Sequence, residues 1–567
     1  MSTDAVVPQR PYLAPPDDLT VPQLMFSYDH PTRPVRPKDL PCLIDDETGR
    51  AVFFEDLKER TEAFAAWLRA SGKLGVDDVL AFCSPNHVDY GPVCWGVHEV
   101  GGIVAAMSPA LTVPEMQHQF RIASPKIIIA HPLTLPTVQS AVSKQTPKPL
   151  VIVLGSSSSS KLHTFDEVVK AGKNLHRETV GAYKLVKGGS RRKMAFLCFS
   201  SGTTGPPKAV AISHYNVVTA VLQMTTAQGV NDPRLTREQA RFRVGDVTSG
   251  VLPFFHIYGL AVNLHFNIFS AMTVVTTAVF NFEKMLNNIV KYKISILFIV
   301  PPQATLLVKH PSVPSYDLTH IHSIGLAAAP LSAELASEVV KRYPSAHFGQ
   351  GFGMTEATGG VSMWPLFPKV GRFGSCGAVL PAGEIKIVKA DGTPAGKGEP
   401  GELLVRGDYV ALGYYKDDVA TRETFLDGGW LRSGDEVVLE EDGSIAVVDR
   451  IKELIKVKGL QVSPAELEGH LLIHPDVADV GVVGVPDDYA GELPVGFIVL
   501  KDAAKSHPVE DERAKIAKHV QDAKSRYKWL KEVHFVDAIP RNPSGKILRR
   551  VLRDEYLKGK FASRAKL

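Results

Sequence analysis

The sequence predicts an α/β protein in two parts: a large layered domain over residues 1–450 and a smaller α+β domain over residues 451–567. Three observations predict it. Helix-like and strand-like patterns alternate along most of the chain, as expected for helices laid over a largely parallel sheet. Near residue 450 a Gly-rich strand texture gives way to a compact, Lys-rich segment. Finally, 567 residues at 44% hydrophobic content exceed what a single core usually organises.

Taken in order, the first forty residues are proline-rich and read as an irregular strap across the surface of the large domain. A serine tract, Ser156 to Ser160, reads as a surface loop. The apolar run Met194 to Phe199, a Ser/Gly/Thr loop, the run Ala209 to Ile212 and a helical pattern from Ser213 read as strand, loop, strand and helix. The β-branched stretch Ile294 to Val300 enters a helix through Pro301-Pro302, and Ile321 to Leu326 precedes a helix over Ser332 to Tyr343. In the smaller part, Ser463-Pro464-Ala465-Glu466 is a capping box with proline at the first helical position. Val477 to Val485 and Val495 to Leu500 come next as strands, and Glu510 to Lys524 as an amphipathic helix.

Composition excludes several classes. Globular proportions with 46 Gly and 40 Pro argue against collagen-like or wholly disordered chains. A net charge of +4 creates no general field for nucleic acid, and no nucleic-acid module is present. Cys42, Cys83, Cys94, Cys198 and Cys376 are scattered, without the spacing of a disulfide framework or zinc site. No basic region followed by an apolar block marks a secretory leader, and no apolar run reaches membrane-spanning length. The expectation is a soluble intracellular protein.

The segment richest in chemistry is Ser200-Ser201-Gly202-Thr203-Thr204-Gly205-Pro206-Pro207-Lys208. Its glycines free the backbone, its hydroxyls donate, and its lysine carries charge, so the turn can cradle phosphate oxygens. It lacks the Gly-Lys-Ser/Thr of a Walker loop. Six further segments accompany it: Leu252-Pro253-Phe254-Phe255-His256-Ile257-Tyr258-Gly259, Ala327-Ala328-Ala329-Pro330-Leu331, Gln350-Gly351-Phe352-Gly353-Met354-Thr355-Glu356-Ala357, Gly429 to Asp435, Val448 to Lys456, and Pro540 to Lys546.

In these motifs the chain resembles the adenylate-forming superfamily of acyl-CoA synthetases, firefly luciferases and peptide-synthetase adenylation domains, most closely the 4-coumarate:CoA ligase branch. The resemblance implies a large adenylate-forming domain and a small domain that rotates about a hinge. It implies that Ser200, Ser201, Gly202, Thr203, Thr204, Gly205 and Lys208 hold the ATP phosphates, with Thr355 on the α-phosphate and Glu356 on Mg²⁺. Phe352 would stack on adenine, beside Ala328, Gln350 and Gly351, and Asp435 would accept from the ribose hydroxyls with Arg450 nearby. Lys546 would bridge the substrate carboxylate and the α-phosphate. Lys452 is the implied hinge, and Lys456, Lys458, Gly459 and Gln461 the implied contacts to adenylate or CoA.

His256, Tyr258 and Val262, with Gly353 and the stretch Thr358-Gly359-Gly360 opposite, are implied to line the acid pocket. Coumarate ligases tend to place a small polar residue where Val262 stands, and an apolar wall there disfavours a ring hydroxyl by about 1 to 3 kcal/mol. Ala209, Arg432 and Leu326 depart from the usual glycine, histidine and serine, and no Lys or Arg lies between His256 and Lys284 for the CoA phosphates. The resemblance therefore implies an ATP-, Mg²⁺- and CoA-dependent acid:CoA ligase acting on an aryl, cinnamate-like or medium-chain fatty acid. The alternatives are an adenylating enzyme serving another acceptor, such as O₂ or a carrier arm, and a non-catalytic nucleotide- or acyl-CoA-binding relative. The final residues Ala565-Lys566-Leu567 match the pattern of a peroxisomal address read by an import receptor. From Arg541 on, nine basic residues stand against two acidic ones, which import and CoA phosphates explain better than nucleic acid does.

Overall fold

A computed structural model describes residues 11–155, 162–175, 183–200, 207–329, 331–458, 460–542 and 545–560. The serine tract Ser156 to Ser160, residues 201–206 of the sequence-predicted phosphate loop, Gly459 and the terminal Ala565-Lys566-Leu567 lie outside the described residues.

Among the described residues the strands form four sheets, three of them from the large domain. One is built around the parallel strands Val79–Cys83, Ile103–Met107, Ile127–Ala130 and Met194–Ser200, buried along nearly their whole length, as continuous apolar runs require when helices cover both faces. A second carries Val247–Gly250, Ile296–Ile299, Ser323–Leu326 and His347–Met354 in parallel. The third is an antiparallel sheet containing Gly383–Val388, Pro400–Gly407, Trp430–Leu439 and Ile445–Arg450. The fourth draws all its strands from Ile455 to Phe535 and has its own core around Val480, Val482, Ile498 and Ile516.

Sequence-predicted elements recur with shifted ends. The helix after Pro301-Pro302 is Pro301–Lys309, and that after Ser332 is Ala333–Arg342, with the Ser332 hydroxyl accepting from the Leu335 N–H. The amphipathic helix of the small domain is Val509–Ala523. Two expectations need correction. The N-terminal strap is not wholly irregular: Thr20 and Gln23 form a reciprocal capping box that starts the short helix Val21–Phe26. The box at Ser463 is only half formed, because its hydroxyl caps Glu466 N–H at 3.2 Å while the Glu466 carboxylate turns to Lys524 and Lys528 at 3.0 and 2.6 Å.

The small domain sits against the large one through close approaches. A Cβ on Gly469, in the helix Pro464–Leu472, would meet the Ser332 Cβ at 2.8 Å, so only glycine lets that helix come this near. Lys309 donates to the Leu472 carbonyl at 2.8 Å. Gly545, with φ +82°, passes Val300 and brings its neighbour Lys546 to the cleft between the domains.

Candidate active site

Strand register builds the site. Ser200 and Lys208 are cross-strand partners at the mouth of the phosphate loop. The short strand Gly413–Tyr414 pairs with the far side of Lys208–Ser213, which places the Tyr414 ring 4.9 Å from the Lys208 ammonium. The strand His347–Met354 runs into a tight turn, Thr355–Ala357, where Thr355 and Glu356 are both buried. The Ser200 and Tyr414 hydroxyls each donate to Glu356 Oε1 at 2.9 Å. Oε1 is thereby occupied, which leaves Oε2 as the oxygen that can meet a cation.

Across the cleft, Asp435 and Arg450 are cross-strand partners, with Nε 3.3 Å from Oδ1. Asp435 Oδ2 is buried and has no hydrogen-bond partner among the described residues, an acceptor that a ligand hydroxyl would satisfy. Burial pushes the Asp435 carboxyl up to about 6 against the pull of Arg450 and Lys546, so it is still ionised at neutral pH. Lys546 is brought down to about 8 by burial and then by Arg450, with Glu453 and Asp435 opposing. Burial lowers His256 to about 4, so its imidazole is neutral, and its Nδ1 accepts from Tyr258 N–H at 3.2 Å.

These groups line two adjoining cavities of about 830 Å³ each. The first is lined by the polar Ser200, Lys208, His256, Thr355, Glu356, Arg450, Lys452 and Lys546 and by Tyr258, Val262, Phe298, Trp364 and Leu380, which pack together as an apolar cluster. Ala328, Gly351, Phe352 and Gly353 border both cavities, while Gln350 and Asp435 face the second. Ala328 has φ +77°, a left-handed conformation that is strained for a residue with a Cβ and that concentrates at ligand-binding backbones.

Several sequence-implied residues stand elsewhere. Of the stretch Thr358-Gly359-Gly360, Gly359 and Gly360 line the first cavity as expected, whereas Thr358, with φ +50°, is 1% exposed and lines neither cavity. Lys456 and Gln461 are cross-strand partners in the small domain, and Lys458 packs its ammonium 4.2 Å from the Tyr489 ring. None of these three lines either of the two cavities in this arrangement.

Sequence reasoning passed over Tyr414, whose only signal was a Gly-Tyr-Tyr run after an apolar stretch. It also missed the wide helical turn Gly259–Phe266, where Asn267 N–H reaches back five residues to the Val262 carbonyl. Such turns re-aim side chains and recur at functional sites. Tyr414→Phe should keep the ring beneath Lys208 but remove one of the two hydroxyls that donate to Glu356 Oε1, leaving Ser200 as its donor. The expected result is a rise of about tenfold to a hundredfold in KM for ATP, read from initial rates, for one lost hydrogen bond to a charged group.

The fold and this cleft define a two-domain α/β protein with a ligand-sized cavity, lined by charged and apolar side chains, between its domains. Residues 32–415 match the AMP-binding enzyme family and residues 466–546 the AMP-binding enzyme C-terminal domain, so the chain belongs to the AMP-binding enzymes. It is 35% identical over 523 residues to 4-coumarate--CoA ligase 3 of Oryza sativa subsp. japonica, covering 92% of this chain and 90% of that protein. The 4-coumarate--CoA ligase of Pinus taeda is 36% identical over 530 residues, 91% and 92% of the two chains. Among solved structures, the anthranilate CoA ligase AuaEII in complex with anthranoyl-AMP has the same fold at TM-score 0.82 and 23% identity, over 97% of this chain and 99% of that one. A benzoate CoA ligase from Burkholderia xenovorans LB400 aligns at TM-score 0.78 and 23% identity, over 94% and 100%.

Proposed function

We propose that this chain is an AMP-forming acid:CoA ligase: carboxylate and ATP give acyl-AMP and pyrophosphate, then acyl-AMP and CoA give the thioester and AMP. The observation that carries it is the convergence of Lys208, Glu356, Arg450 and Lys546, drawn from four distant segments, on a cavity lined as well by an apolar cluster. A carboxylate attacking a phosphate meets like-charge repulsion, and preorganised cations around a fixed geometry are what lowers that barrier. Lys546 would join the acid carboxylate to the α-phosphate, Lys208 would hold the outer phosphates, and Asp435 Oδ2 would accept from a ribose hydroxyl.

The donor set fits Mg²⁺. No group of three or more His, Cys, Asp or Glu side chains among the described residues forms a metal cage, so Glu356 Oε2 would share the ion with substrate oxygens and water, the mode Mg²⁺ favours. When bound, Mg²⁺ would offset phosphate charge.

Tyr258, Val262, Phe298 and Trp364 favour an aryl or cinnamate-like acid. For the second half-reaction, rotation of the small domain about Lys452 would withdraw Lys546 and bring Lys456, Lys458 and Gln461 toward the cleft, a hinge device that lets one site serve two steps. The test is pyrophosphate release with ATP and Mg²⁺ across cinnamic, phenylacetic, benzoic and aliphatic acids, with and without CoA. Acid-dependent release with thioester appearing only when CoA is present is expected; release without any CoA ester would overturn the acceptor assignment.

Peroxisomal import is the companion proposal, supported by Ala565-Lys566-Leu567 alone. Deleting the three residues should leave activity unchanged and turn a punctate fluorescent fusion diffuse. Persistent puncta would refute it.

A further inference from the structure

Lys546 does not reach the cleft on a free side chain. Its backbone N–H donates to Asn542 Oδ1 at 2.9 Å, and Arg541 donates to the Gly545 carbonyl at 2.8 Å while pairing with Asp479 at 2.7 Å. The loop is therefore braced from within the small domain. Its ammonium lies 3.6 Å from Glu453 Oε1.

The other oxygen of Glu453 is taken by Arg549 Nη1, and Arg549 is anchored in turn on Glu468 by Nη2 at 2.7 Å and Nε at 3.2 Å. Glu468 accepts as well from Val482 N–H at 2.9 Å, which ties the chain of charges to the small-domain sheet. All of these carboxylate and guanidinium groups are largely buried.

The geometry points to Glu453 as a positioning residue, one that fixes the Lys546 ammonium against the Asp435–Arg450 pair and acts on the reaction only through it. Three features of the placement support this. Arg549 holds Oε2, so Oε1 is the oxygen left for Lys546. Glu453 directly follows the implied hinge residue Lys452, with its N–H donating to the Arg450 carbonyl at 2.8 Å, so hinge geometry sets the carboxylate's position. The groups facing Lys546 are Arg450 and Arg549, which disfavour its charge, and Asp435 and Glu453, which favour it. Glu453 itself faces Arg549, Lys546 and Arg450, which together hold it ionised despite burial. Removing its charge leaves Asp435, already engaged by Arg450, to balance two guanidinium groups.

The inference rests on the ligase reading for its consequence, since Lys546 must be protonated to bridge two anions. With Lys546 near 8, adenylation should decline as pH rises through that value. Glu453→Gln should move the decline down by about one pH unit, giving near-normal adenylation at low pH and on the order of a tenfold loss on the alkaline side. Glu453→Asp should restore most of the wild-type profile.

The direct experiment is competitive labelling of the full chain by acetic anhydride across pH, with the reactivity of Lys546 read by peptide mapping. No substrate is needed. A Lys546 profile shifted to lower pH in Glu453→Gln and nearly restored in Glu453→Asp supports the inference; profiles identical to wild type in both variants overturn it. The kinetic arm compares pyrophosphate release with cinnamic acid against thioester formation from supplied cinnamoyl adenylate. A shift confined to the first step supports positioning, whereas equal loss of both at every pH would mean a merely structural role. If labelling shifts but the wild-type chain adenylates no acid, the positioning stands and the ligase reading falls.

Discussion

Lys546→Ala should lower acid-dependent pyrophosphate release by about 10² to 10³-fold, the scale of removing one preorganised charge stabiliser, while thioester formation from supplied acyl adenylate stays within about twofold. The asymmetry follows from where cations stand. During adenylation the acid carboxylate approaches an α-phosphate that is already anionic. Arg450 is committed to Asp435 at 3.3 Å, and Lys208 sits over the Tyr414 ring. Neither can take over the bridge without abandoning its own partner. In the second step a neutral thioester forms and the phosphate departs as AMP, so a bridging ammonium has no charge pair to hold together. Each half-reaction is measured alone: pyrophosphate release with ATP and acid, then acyl-CoA appearance from purified adenylate. Equal losses in both would show that Lys546 supports the fold or the acceptor site rather than the bridge. Lys546→Arg is the informative companion, because it keeps a permanent charge and should abolish any alkaline decline that belongs to Lys546.

The parts of this site legible in the sequence are those whose chemistry is local. The strand, loop and strand around Lys208 announced themselves through an apolar run, a Gly/Ser/Thr cluster and a second apolar run, and Ser200 and Lys208 emerge as cross-strand partners. Ser463 was readable as an N-cap because the cap bond spans three residues. Tyr414 was not, because its position depends on a two-residue strand pairing with one about two hundred residues earlier, and no local pattern encodes that register. The chain Lys546, Glu453, Arg549 and Glu468 was equally hidden. Apart from Lys546, which its motif singled out, each residue by itself reads as a solvated charge, and only the small-domain fold buries them together. Of the expected wall Thr358-Gly359-Gly360, the two glycines line the cavity and Thr358 does not, because the left-handed backbone at Thr358 turns its side chain away, a detail no local pattern announces.

Arg549→Ala should be the most destabilising single change in the small domain, costing about 3 to 5 kcal/mol, the range for breaking a buried ion pair by removing one partner. Arg549 serves two buried carboxylates, Glu453 and Glu468, and alanine would leave both without it. The pH dependence follows from Glu468. Burial holds its carboxyl up at about 7 even with Arg549 opposing, so the folded state binds this proton more tightly than the unfolded chain does. Its contribution is therefore most favourable at low pH and is lost as pH rises from the usual carboxylate range through about 7. Without Arg549 the Glu468 carboxyl rises further, and the deficit of the variant against wild type should widen between pH 5 and pH 8. Native-state hydrogen exchange is the measurement, because it reads opening in Val477–Asp487 and Arg549–Leu557 separately from the large-domain sheets. Protection should collapse in the small domain and persist in Val79–Cys83 and Ile103–Met107. The double variant Arg549→Ala with Glu468→Gln should recover part of the loss, because one unpaired buried charge has gone with the guanidinium. A deficit that stays flat with pH, or that the double variant deepens, would mean that Arg549 stabilises the domain through packing rather than through the two carboxylates it spans.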